Sequence, residues 1–295
     1  MLSMQLGRPL SQAKDPSELK AAFVGAIMGQ WALANSCVQP RDISINNILL
    51  SLPGYEYNSS ECDQLGMLGV EKCGWRFQAP NREAIFNDPT APKYEKTTEL
   101  KWKFDPGRHF TNLEHVMEEF GPRPSGFLLG LDLANIQPIA CAGASDMHTH
   151  PTGVLSFMAL NLLGGYSKAA EHSYLHDLES LFWVLLYVVA EHREGETIDP
   201  QAQYVLSDLS IISRHELYNA KFTLLGEIVE RRLNIASFKT SWAVALGPLV
   251  YSFALLVKKF SRLDFDSTVD PDACFEDVLD LFLPPGITAR SDSKS

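Results

Sequence analysis

Cysteine is scarce and unpatterned in this chain. Cys37, Cys62, Cys73, Cys141 and Cys274 are odd in number and form no CxxC pair. They read as reduced thiols rather than a disulfide framework, which points to a cytoplasmic or nuclear protein. Positive charge is also short: the formal net charge is −11, which argues against a general nucleic-acid or anionic-membrane surface. No basic stretch followed by an apolar core opens the sequence, so no secretory signal is expected. One apolar stretch, Thr240 to Val257, carries no charge but contains Ser241, Gly247, Pro248 and Ser252. It falls short of the ~20 strongly apolar residues a membrane span takes. A buried helix broken near Gly247-Pro248 is expected there instead, and no membrane association.

What is present is the composition of a folded protein. Hydrophobic residues make up 45% and charged residues 21%, which excludes wholesale disorder. Residues 1–17 are rich in turn formers, and Ser17 is a candidate N-cap for a helix from Glu18 to about Asn35. Leu19, Phe23, Ile27, Trp31 and Ala34 would share one face of it. Residues 51–125 read as an irregular insertion with some β-hairpin content, punctuated by Pro53-Gly54, Asp88-Pro89 and Asp105-Pro106-Gly107. Trp75, Phe77, Trp102 and Phe104 would form a small core of its own. Phe127-Leu128-Leu129 reads as a short buried strand, and a loop rich in Pro, Gly, Ser and His runs on to about Pro151. Helices are then expected over 177–191, 202–212, 215–236, 241–260 and 274–282, with a frayed tail from Ala289.

The chemistry begins at Arg41-Asp42-Ile43-Ser44-Ile45-Asn46-Asn47, where an aspartate precedes an asparagine by five positions and an apolar run comes next. In phosphoryl transfer a carboxylate orients the attacking hydroxyl, and hard oxygen ligands hold the metal on the phosphates. Asp42 and Asn47, with Asp132 at the end of a short strand, supply that set. The Asp-x4-Asn spacing alone is a weak pattern, which an N-cap or turn role for Asp42 would also satisfy.

The flanking residues make it specific. Pro40 to Leu49 resembles the catalytic loop of protein kinases, and Gly126 to Ala134 resembles the strand and metal-binding aspartate that open their activation segment. Thr152 to Asn161 resembles the end of that segment, and His172-Ser173-Tyr174-Leu175-His176-Asp177-Leu178-Glu179-Ser180 the start of the central buried helix. The wording Arg-Asp-Ile-Ser and His-Asp-Leu-Glu-Ser is similar to that of the fungal-type protein kinases. The resemblance implies Asp42 as catalytic base, Asn47 as ligand of one Mg2+, and Asp132 as ligand of the Mg2+ that bridges the phosphates of ATP. It implies that Asp177 anchors the catalytic loop from the central helix, and it places Arg41 in the catalytic set. Arg41 is also the candidate partner of a phosphate on Ser145, Thr149 or Thr152.

Departures accompany these matches. Pro40 stands where that loop carries His, and Val154 where a Thr would touch the catalytic base. Asn161 stands for the Glu that closes the segment, and Ala134 for Gly. No Gly-x-Gly-x-x-Gly and no Val-Ala-x-Lys strand precedes Asp42. The expected fold is therefore mainly α (α+β), the helical C-terminal lobe of a protein kinase with a few short β-hairpins and without the N-terminal β-lobe. Residues 1–50 would carry the helix and catalytic loop, 51–125 the insertion within the same domain, 126–288 the rest of the lobe, and 289–295 a disordered tail. The expected function is that of a serine/threonine protein kinase-like protein, using Mg2+ and ATP once an N-lobe is supplied. The competing reading is a pseudokinase module that binds protein partners. A small-molecule kinase of the choline or aminoglycoside type shares Asp-x4-Asn but lacks the segment after Thr152 and the His-Asp-Leu-Glu-Ser helix start. A zinc cluster of His148, His150, His172 and His176 is the weaker alternative use of the histidines.

Overall fold

The computed structural model describes residues 7–35, 38–52, 104–120, 126–129, 135–136, 153–164, 172–195, 197–261 and 269–284. In chain order these form β1 (Arg8–Pro9), α1 (Pro16–Asn35), β2 (Val38–Gln39), β3 (Ile48–Leu50), α2 (Pro106–Phe120), β4 (Gly126–Leu128) and β5 (Asn135–Ile136). Then come α3 (Leu160–Gly164), α4 (Tyr174–Glu191), α5 (Pro200–Leu209), α6 (Arg214–Val229), α7 (Ser241–Phe260) and α8 (Pro271–Phe282). The chain is mainly helical.

Four helix starts follow one local rule. Asp15 Oδ1 accepts from the N–H groups of Ser17 and Glu18, so Asp15 rather than Ser17 caps α1, and Pro16 fills the first helical position. Asp105-Pro106, Asp199-Pro200 and Asp270-Pro271 repeat this at α2, α5 and α8. Proline costs nothing there because that N–H would have no intrahelical acceptor.

α4 is buried along almost its whole length, and α1, α5, α7 and α8 surround it. A chain of rings runs through the core: Phe23 stacks on Phe282 at 5.7 Å, Phe253 meets Phe282 at 6.0 Å, and Phe182 meets Phe253 at 5.6 Å. The strands are short and pair antiparallel in the orders β1-β3-β4 and β2-β5. Ile48 faces Leu128 and Leu50 faces Gly126, while Gln39 faces Asn135. β3 and β4 therefore pair across the long 51–125 segment rather than through a tight turn. α1 presses directly on β4: a Cβ at Gly126 would lie 2.5 Å from Ala22 Cα, and one at Gly25 would lie 2.2 Å from Gly126 O. Only glycine at both positions permits that contact.

The structure corrects two further expectations. Part of the supposedly irregular segment is the helix α2, which is docked on the main core. Arg108 pairs with Glu276 and with Asp270, the latter at 2.6 Å, and the Asp105 N–H donates to Asp272 Oδ2 at 2.6 Å. Phe104 belongs to the same core, edge-on to Tyr174 at 5.5 Å; Trp75, Phe77 and Trp102 lie outside the described residues. The second correction is α7, which runs unbroken through Pro248. Pro248 and Val244, the residue whose carbonyl loses its partner, both lie on the exposed face, where water can meet that carbonyl. By length and composition α7 could cross a membrane, with 50% of the stretch buried against the rest of the chain.

Candidate functional site

Two strand pairs carry the 40–47 loop. β2 enters it and β3 leaves it, and their partners β5 and β4 flank residues 130–134 in the chain. Within the loop the Asn47 N–H closes a turn on Ser44 O at 3.0 Å, and the Leu129 N–H donates to Asn47 O at 2.7 Å. Ile43 and Ser44 are buried beneath the turn, while Asp42 and Asn47 are half-buried.

Asp42 and Asn47 meet. Asn47 Nδ2 donates to Asp42 Oδ2 and to Asp42 O, each at 2.8 Å. The other carboxylate oxygen, Oδ1, accepts from the Val154 N–H at 3.3 Å across 112 residues of chain. The hydroxyl contact that Val154 forgoes is thus replaced by a contact from its own backbone. Gly153 makes this approach possible: its φ is +109°, and a Cβ there would stand 3.0 Å from Arg41 O and 3.2 Å from Asp42 Oδ1. Arg41 is itself in the left-handed region at φ 64°, a conformation that costs a non-glycine residue energy and concentrates at functional sites. With Nδ2 engaged on Asp42, Asn47 keeps its amide oxygen for another partner, and an amide oxygen is a hard donor suited to Mg2+. Asp132 lies outside the described residues.

Asp177 sits at the head of α4, with its side chain 2% exposed. Its Oδ1 contacts His172 Nε2 at 2.8 Å, and its Oδ2 is buried without a partner among the described residues. The connection to the loop is indirect: Gln39 Nε2, at the end of β2, donates to His172 O at 2.9 Å. His176 accepts from the Ser173 N–H through Nδ1, which caps α4. Burial, with His172 nearby, pushes the His176 imidazole down to about 3, so it is neutral. Both described histidines of the supposed cluster are thus engaged in starting this helix; His148 and His150 lie outside the described residues.

Sequence reasoning misses three participants. Gly153 and Val154 act through the backbone, which a residue-type search does not see. Lys221 on α6 is completely buried, with Nζ donating to Ser156 O at 3.0 Å and to Met158 O. A signal for it exists: Leu217, Lys221, Leu224 and Ile228 share one helical stripe, so the lysine falls on the inward face. Glu179, buried on the central helix α4, is the complementary clue, since a buried charge demands a partner.

A family model described as Fungal protein kinase matches residues 1–189, which takes in β1 through most of α4 and all of the contacts around Asp42. No curated protein and no solved structure matches the chain.

Proposed function

Since the chain belongs to the fungal protein kinase family, we propose that its helical body is a kinase C-terminal lobe. Its site would serve transfer of a phosphoryl group from ATP to protein hydroxyls in the cytoplasm or nucleus. The observation that carries this reading is the Asp42 carboxylate held at both oxygens, by Asn47 Nδ2 at 2.8 Å and the Val154 N–H at 3.3 Å. A half-buried carboxylate fixed in this way is placed to orient an incoming hydroxyl and accept its proton. Asn47 Oδ1 and Asp132 are the oxygens that would hold Mg2+, which supplies charge neutralisation on the phosphates when bound with ATP. Arg41, next to the base in sequence, is the proposed partner of a phosphate on Ser145, Thr149 or Thr152, which lie outside the described residues.

The chain holds no glycine-rich phosphate loop before Asp42. Each preorganised charge contact of that kind contributes ~3 kcal/mol in a transition state. Transfer by residues 1–295 is therefore expected to be slow, and the ratio of two rates is the readout rather than either rate alone. The test is transfer of labelled phosphate from Mg-ATP to a mixed protein substrate by wild type and by Asp42→Asn. A fall of about 100-fold or more is expected, within the usual range for loss of a general base. Equal transfer by both proteins overturns the assignment of Asp42.

A second reading, a non-catalytic module that binds a protein partner, is favoured by one observation. Ile212 is 89% exposed and Phe222 63% exposed, with Phe222 stacked on Tyr218. Mg-ATP binding measured by calorimetry separates the two: the kinase reading, once an N-lobe is supplied, requires it, and the partner-binding reading does not.

A further inference from the structure

Residues 156–160 lead away from the Asp42 contact, and their backbone is gripped by two buried charges from different helices. Lys221 Nζ donates to Ser156 O at 3.0 Å and to Met158 O. Glu179 Oε1 accepts from the Leu160 N–H at 2.8 Å and from Trp183 Nε1 at 2.9 Å. Lys221 Nζ also lies 4.3 Å from the centre of the Trp183 ring, so one indole touches both charges. Just beyond, Arg214 donates to Leu162 O and Leu163 O.

Lys221 is 0% exposed and Glu179 3% exposed. Taking such charges out of water costs several kcal/mol per ion, and apolar residues of similar volume would fill the space at less cost. Burial accordingly drives the lysine down and the glutamate up from their ordinary values, each partner opposing the shift of the other. What apolar residues could not do is meet a carbonyl, a second carbonyl and an amide of the same irregular segment. That segment begins at Gly153-Val154, where the Asp42 contact lies.

We propose that Glu179 and Lys221 are positioning residues, which fix the backbone of 153–160 so that the Val154 N–H meets Asp42 Oδ1. The proposal rests on the reading of Asp42 as the centre of the site, and it adds the two helices that hold the site in shape.

The test uses the full chain labelled with 15N-valine and reads the Val154 amide proton. Asp42→Ala sets the reference, since loss of the acceptor moves that resonance upfield. Lys221→Met and Glu179→Gln are expected to move it in the same direction. They should also raise amide exchange at Val154 and Leu160 about ten-fold, with α7 unchanged. Lys221→Arg is expected to restore most of the shift. Should Lys221→Met fail to fold, Glu179→Gln decides alone, because glutamine keeps the shape of the site but replaces the charge-assisted acceptor of the Leu160 and Trp183 N–H groups with a weaker neutral one. An unmoved Val154 resonance in both variants, or exchange that rises equally throughout the chain, overturns the proposal. Phosphate transfer is not the readout, so failure of the catalytic reading and failure of the positioning role remain distinguishable.

Discussion

Replacing Gly153 with alanine would force a methyl to within 3.0 Å of Arg41 O and 3.2 Å of Asp42 Oδ1, at a φ of +109°. A side chain at that φ is strained by ~1–3 kcal/mol before any clash. Gly153→Ala is therefore expected to lower stability by ~2 kcal/mol and to break the Val154–Asp42 contact. Urea unfolding together with the Val154 amide shift checks both. His176 gives a second prediction at this scale. Its unfolded value is 6.5 and its folded one about 3, so between these values the unfolded chain binds more protons. Stability then rises with pH across that window and is lost as pH falls from about 6.5 towards 3. The contribution is up to ~1.4 kcal/mol per pH unit. Unfolding of His176→Gln measured between about pH 4 and 7 should show a shallower slope, and an unchanged slope would refute the assignment. Asp42 and Asn47 were legible from sequence because one short loop fixes their spacing locally. Val154 was legible only as a lost hydroxyl, since the contact it makes instead is a backbone one across the fold.

Among the elements, the Asp-Pro dipeptides show why α2 escaped a reading of the sequence. Asp105-Pro106-Gly107 looks like a turn, but the same pair opens α1, α5 and α8, where Asp caps and Pro takes the first position. Turn punctuation and a helix start use the same residues, and only the periodicity of the next few turns of chain separates them. The long helices α1, α4 and α7 were legible because their apolar residues run on for many turns. Removal of a plain cap such as Asp199 by alanine should cost ~1 kcal/mol. A larger effect is expected at α2, where Arg108 alone meets both Glu276 and Asp270. Glu276 is 5% exposed, so Arg108→Ala strands a carboxylate in the interior. Breaking a fully buried pair costs ~3–5 kcal/mol, and partial exposure of Arg108 reduces this to ~2–3 kcal/mol. Limited proteolysis should then cut within 104–120 ahead of the rest of the chain; simultaneous cleavage everywhere would show that α2 is not separately latched.

For the whole molecule, the decisive feature is that one buried cluster extends from Leu10 to Leu283 and takes in residues of every helix from α1 to α8. Its ring contacts join the N-terminal part to the C-terminal helix directly, since Phe23 stacks on Phe282 at 5.7 Å and Trp31 on Phe275 at 5.5 Å. The catalytic-type loop hangs from α1 and β3, while the segment that completes it is held by α4 and α6. The site therefore has no independent stability: its parts reach their places only when the common core is assembled. Phe253 stands near the middle of this core at 0% exposure, in contact with both Phe182 and Phe282. Phe253→Ala is expected to cost ~3–5 kcal/mol, the usual range for a large ring removed from a packed interior. More tellingly, loss of helix by far-ultraviolet circular dichroism and loss of the Val154 amide signal should shift to lower urea together, as in a two-state transition. If the Val154 signal vanishes at a lower concentration than the helices, the site is a locally unfolding unit, and the buried pair beside it stabilises the loop rather than the fold.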